Sequence, residues 1–252
     1  MSSIVSPRQF IAGLAVLSAL ALTACSPTAN QPSAGSGDRY VNPKPAERVK
    51  PNPGKGNVQG QVFYNSKPVE NIEVKLCEKF DRMISSLGCR GKTHKASTDR
   101  EGYFVLTDIE PGKYQGLLVR VFNTESYIVA TKGIGGLDNV EHDVAANQTL
   151  FVDPKHLFKT DLKPVNPESG ERVKGQKPEL KWQAYPDATS YKVSLYPKDI
   201  KAQGLYNQVV KTNILIPDKP LSKGEYTWKI EAYNGEDKKL SESEDGIKFI
   251  VD

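Results

Sequence analysis

Histidine, cysteine, tryptophan and methionine are all scarce, with three, three, two and two residues in a chain of 252. The scarcity of histidine narrows the chemistry. His94, His142 and His156 are scattered, with no His-Glu-x-x-His pair to hold zinc and no Gly-x-Ser-x-Gly elbow to present a serine. No catalytic constellation, cofactor site or metal site is expected from such a set. Glu141-His142-Asp143 places acids beside a base, but strand neighbours face opposite ways, so it reads as a solvated strand end. Gly133-Ile134-Gly135-Gly136 has no helix pattern after it to present phosphate-binding N–H groups, so it reads as a turn. After residue 24 no apolar run is long enough to span a membrane, which takes about 20 residues. A strong excess of one charge is also lacking: 34 basic residues face 30 acidic ones. The excess sits in residues 26–56, which hold five basic and two acidic residues, and the remainder is nearly neutral. A nucleic-acid-binding domain would show a basic patch or stripe, so no nucleic-acid partner is expected. With 38% hydrophobic and 25% charged residues, the composition fits soluble globular domains.

What is present begins with an address. Arg8 precedes an apolar run from Phe10 to Leu22, and small residues follow. That order describes a secretory signal peptide over residues 1–24. Leu22-Thr23-Ala24-Cys25 resembles the lipobox of bacterial lipoproteins. The resemblance implies that the Cys25 thiol takes a diacylglyceryl group and that cleavage falls before it. Two or three acyl chains anchor stably where one binds marginally. The partner at this end is then a membrane. Ser26 implies the outer membrane if the source has two membranes.

Residues 25–56 read as the lipidated cysteine and a disordered linker rich in Pro, Gly, Ser and Asn. Such a stretch cannot bury enough apolar surface to offset its ordering entropy. As a coil it would span roughly 30 Å, and as extended polyproline about 95 Å. Its basic residues would either lie on anionic headgroups or simply be solvated.

From Asn57 the pattern is all-β, with two consecutive antiparallel β-sandwich domains over residues 57–161 and 162–252. In the first, Ile72, Val74 and Leu76 alternate with Glu73 and Lys75, a period of two. Turn chemistry at Asn65-Ser66-Lys67-Pro68, Thr98 to Gly102 and Glu110 to Lys113 separates short strands. Gly60-x-Val62, Pro68-Val69, Ile72-x-Val74-x-Leu76, Thr98-Asp99-x-x-Gly102-x-Phe104 and Ile109-x-Pro111-Gly112-x-Tyr114 together resemble the carboxypeptidase regulatory-like domain. The resemblance implies a transthyretin-like sandwich that serves as a spacer, stabilising or binding module.

An insert departs from that pattern. Phe80, Met83, Ile84 and Leu87 fall at helical spacing, and Gly88 could end a helix. A helix over 80–87 is expected, packing on the sandwich or offering a docking face. With Cys25 lipidated, two cysteines remain in an oxidising compartment, so a Cys77–Cys89 disulfide is expected. A metal site with His94 would match no zinc spacing.

In the second domain, Tyr226, Trp228, Ile230 and Ala232 alternate with polar residues. Pro178-x-Leu180-x-Trp182, Pro186-x-Ala188-x-x-Tyr191-x-Val193 and Leu221-x-x-Gly224-x-Tyr226 resemble a bacterial fibronectin type III domain, including its tyrosine corner.

These readings imply a lipid-anchored, non-enzymatic cell-envelope protein acting as a binding, adhesive or scaffolding module, with a protein or glycan partner. The alternative is a carbohydrate-binding surface module for polysaccharide capture or export. That alternative needs exposed aromatic platforms. Trp182 and Trp228 share the register of core residues and are expected to be buried, which leaves Tyr185, Tyr196 and Tyr206.

Overall fold

The computed structural model describes residues 46–81, 88–132, 138–244 and 246–252. Lys44–Asp252 form one compact unit, and every regular element among the described residues is a strand. Cys25 and the signal segment lie outside the described residues.

The first sandwich begins with β1 (Gly56–Tyr64), β2 (Lys67–Pro68), β3 (Glu73–Asp81) and β4 (Gly88–Ser97). Next come β5 (Tyr103–Ile109), β6 (Gly112–Tyr114), β7 (Gly116–Arg120) and β8 (Tyr127–Val129). Five short strands complete it: β9 (Thr131–Lys132), β10 (Asp138–Asn139), β11 (His142–Val144), β12 (Thr149–Phe151) and β13 (Lys155–His156). One sheet is built around β1, which pairs antiparallel with β2 and β5 and parallel with β12 and β13. The other runs β4-β3-β7-β8. Val58, Val62, Val74, Leu76, Phe104 and Leu117 fill the space between them, as the period-two pattern requires. Each such side chain contributes roughly 1.5–3 kcal/mol relative to exposure. Gly60 lets the layers close, because a Cβ there would lie 2.6 Å from the Phe104 ring and 2.7 Å from Val152.

The expected helix over 80–87 is corrected at its start. Phe80 and Asp81 belong to β3 and pair with Cys89 and Gly88 of β4, so this part of the insert lengthens a hairpin. Met83, Ile84 and Leu87 lie outside the described residues. So short a helix is marginal alone, whereas the hairpin buries Phe80 against Cys77 and Leu118. The Cys77–Cys89 disulfide is present, with Cα atoms 5.2 Å apart.

The expected linker is also shorter than its residue range. Residues 46–50 lie along β1. Gln59 donates to the Ala46 carbonyl and accepts from the Arg48 N–H, both at 2.9 Å. Asn57 donates to the Val49 carbonyl at 2.9 Å. Both amide side chains are buried, and these bonds satisfy both ends of Gln59 and the Asn57 Nδ2. Polar groups under cover need such bonds, and here the chain's own Pro-rich stretch supplies them.

The second sandwich contains β14 (Pro164–Asn166), β15 (Glu171–Val173), β16 (Leu180–Trp182), β17 (Ser190–Pro197) and β18 (Leu205–Val210). It ends with β19 (Ile214–Leu215), β20 (Gly224–Tyr233), β21 (Lys239–Glu242) and β22 (Ile247–Val251). A sheet β14-β16-β19 faces a sheet β15-β22-β20-β17-β18, with β21 also on β20. Trp182 and Trp228 are fully buried between the sheets, their ring centroids 6.4 Å apart. The Tyr226 hydroxyl donates to the Ser222 carbonyl at 3.1 Å, which closes the expected tyrosine corner.

The chain passes from Leu157, in the first core, to Leu162, in the second. Between them Lys159 exchanges backbone hydrogen bonds with Leu240 and Glu242, each at 2.9 Å. Asp161 accepts from Tyr185 and from Ser241 at 2.8 Å. The Asn65–Ser66 turn reaches across to Asp187 (2.9 Å) and Glu236 (2.7 Å). The two sandwiches therefore meet through a hydrogen-bonded joint rather than a bare linker.

Candidate functional site

The histidines are not brought together. His94 sits edge-on to Tyr114 at 5.8 Å, and His156 stacks on Phe63 at 5.5 Å. Burial holds both imidazoles below their usual pKa. His142 and Val144 point inward while Asp143 points out, as neighbours on a strand must, but His142 is buried rather than solvated. Glu141 pairs with Lys113 at 3.0 Å. Among the described residues no three His, Cys, Asp or Glu side chains are grouped to hold a metal ion. The glycines from 133 to 136 lie outside the described residues.

The aromatic candidates separate clearly. Trp182 and Trp228 are core residues. Tyr185 is committed to the joint, donating to Asp161 and lying 3.4 Å from the Tyr64 hydroxyl. Burial, then those two neighbours, pushes its pKa well above the ordinary tyrosine value. Tyr196 and Tyr206 remain exposed, at 45% and 62%, with ring centroids 5.6 Å apart.

Local structure presets this pair. Tyr196 is near the end of β17, and Tyr206 lies on β18, the last strand of its sheet. The β17–β18 pairing slips between Val193 and Leu195, where the Asn207 N–H donates to the Ser194 hydroxyl at 2.9 Å. Gly204 underlies the Tyr206 side chain: a Cβ there would lie 2.7 Å from its hydroxyl and 2.6 Å from the Leu195 carbonyl. Ile200 in the β17–β18 connection is 95% exposed, and Val209, Ile214 and Ile216 are also exposed. An edge strand with apolar side chains in water is a feature that proteins normally avoid or use. The sequence flagged the two tyrosines but not Ile200 or Val209, because exposure on a free edge follows from strand order.

No protein-family model matches the chain. No curated protein matches it. Among solved structures, the chain is similar to fibronectin(III)-like modules of CbhA from Clostridium thermocellum, at 18% identity and a TM-score of 0.28, over 36% of this chain and 93% of that one. It is also similar to a candidate carbohydrate-binding protein from Bacteroides uniformis, at 8% identity and a TM-score of 0.27, over 76% and 97%. A two-domain fibronectin type III segment of chicken tenascin matches at 13% identity and a TM-score of 0.25, over 80% and 95%. Likeness at this level carries no argument about function. The second sandwich is a mainly antiparallel two-sheet β-sandwich closed by a tyrosine corner.

Proposed function

We propose that this chain is a lipid-anchored, non-enzymatic module of a bacterial cell envelope that binds or adheres through the exposed edge of its second sandwich. The carrying observation is the preset Tyr196–Tyr206 pair, with Val209 exposed on the same edge strand and Ile200 exposed in the β17–β18 connection. The anchor rests on the lipobox at Cys25, and Ser26 favours the outer membrane in a two-membrane cell. The first sandwich, read as a carboxypeptidase regulatory-like domain, serves as the base on which the second is held. Because residues from 46 onward pack on that base, the spacer to the membrane is at most residues 26–45.

A second reading, glycan capture, is favoured by the same tyrosines, since aromatic faces and edges can stack on sugar rings. Three experiments test these readings. Labelled palmitate should enter the wild-type protein and not Cys25→Ala; equal incorporation would remove the anchor. Cross-linking in intact cells should capture a discrete partner with wild type and lose it with Tyr206→Ala. A glycan array separates the readings: retention that depends on Tyr206 selects the glycan, and no retention on any glycan leaves a protein partner.

A further inference from the structure

The first sandwich places a lysine and a buried histidine on one cavity. Lys155, on β13, is half-buried, and among the described residues its ammonium has no hydrogen bond or ion pair. Burial pushes its pKa down, and only the charge of nearby Asp153 opposes that. Lys155 lines a cavity of about 450 Å³ beside β11 and β12, with Val140, Leu150 and Val152 as apolar walls. His142 lines the same cavity. It is 7% exposed, and its Nε2 has no hydrogen-bond partner. Burial, with the Lys155 charge second, keeps this imidazole neutral.

An unpaired buried polar group is costly, and His142 Nε2 is one; Lys155 stands on the same cavity, half-exposed to water. A carboxylate would satisfy both: Lys155 would give a charge-assisted hydrogen bond, and a neutral His142 protonated on Nε2 would donate a second. The rim sets a limit on charge. Asp143 and Asp153 are exposed there, and Glu141 is already paired with Lys113. Those carboxylates disfavour a multiply charged anion, and the apolar walls favour an uncharged apolar body. We propose that this cavity is a binding site for a small monocarboxylate, with Lys155 as the charge partner and His142 as the second donor. The inference is independent of the tyrosine surface on the other sandwich, and either can fail alone.

The test is a titration of the full-length chain with butyrate, glucose and inorganic phosphate, followed through the His142 ring signal in NMR. Only three histidines exist, so His142→Gln assigns that signal. Butyrate should move it saturably. Lys155→Gln should weaken binding at least about tenfold, the ratio expected for losing one charge-assisted hydrogen bond. Lys174→Gln, on the second sandwich, should leave it unchanged. Thermal melting gives an independent reading that also shows each variant is folded. Butyrate should raise the melting temperature of the wild type and of Lys155→Arg, and not that of Lys155→Gln. No saturable shift with butyrate, an undiminished shift in Lys155→Gln, or tighter binding of phosphate or glucose would each overturn the proposal.

Discussion

Arg48 offers a sharp test of the docked N-terminal segment. Its guanidinium contacts Asp99 at 2.9 Å and also Glu101, and lies 3.8 Å from the centre of the Tyr103 ring. Asp99 is doubly engaged, because its other oxygen caps the turn by accepting from the Glu101 and Tyr103 N–H groups at 2.9 Å. The Arg48 side chain is 34% exposed and its acidic partners more so, which places both ion pairs in the weak, solvent-screened class. Each is then worth about 0.2–1 kcal/mol. The cation–π contact adds about 0.5–1 kcal/mol. Arg48→Ala should therefore cost roughly 1–3 kcal/mol of unfolding free energy, less any part the carboxylates recover from water. Arg48→Lys should recover only part of that, since an ammonium cannot fork between two carboxylates and stack on the ring. Urea unfolding with an unchanged m-value measures the difference. Hydrogen exchange supplies the structural half: the Arg48 N–H, which donates to Gln59, should be protected in wild type and lose protection in Arg48→Ala. Stability within about 0.5 kcal/mol of wild type, together with an unprotected Arg48 amide, would refute the docking and return residues 46–56 to a free linker.

Three further outcomes follow from the same structure. The Cys77–Cys89 bridge closes a loop with a sequence separation of 12, so the Cys77→Ser/Cys89→Ser double variant should lose about 3 kcal/mol. Reductant should shift the denaturation midpoint of the wild type and leave the variant unmoved. Burial alone would raise the Glu231 pKa, but Lys239 at 2.9 Å and the Tyr233 hydroxyl at 3.0 Å outweigh it and hold the carboxyl below its usual range. A folded-state pKa below the unfolded value of about 4.3 gives stability that is complete above that pH and lost as pH falls through the folded value. Urea midpoints between neutral and acid pH should therefore fall less steeply for Glu231→Gln than for wild type. Tyr226→Phe removes the hydroxyl bond to Ser222 and should cost about 0.5–1.5 kcal/mol, read by thermal melting.

The fold was legible wherever period two ran unbroken. β20 reads exposed, then alternately half-buried and buried from Glu225 to Tyr233, which is what the spacing of Tyr226, Trp228, Ile230 and Ala232 implies. The start of the insert differs from the expected helix, because Phe80 and Asp81 pair with Cys89 and Gly88 in the β3–β4 hairpin. A register shift between Cys77 and Lys79 turns β3 there, and such an irregularity leaves no period-two pattern to read.

The functional groups were harder to see, because none announces itself by local pattern. Arg48 works through side-chain and backbone polar contacts inside a stretch whose composition argues for disorder. Lys155 and His142 are 13 positions apart and meet only because β12 and β13 run parallel to β1 while β11 pairs elsewhere, with β6. Tyr196 and Tyr206 become neighbours through an irregular antiparallel pairing. In each case the contact is made by strand order, and strand order is the part of a β-sandwich that alternation leaves open. The histidine whose flanking acids suggested a solvated strand end is the clearest instance. The strand assignment was right and the side of the sheet was not, because a strand three residues long leaves the inward face to be chosen by its partners, and β6 sets it toward the cavity that Lys155 shares.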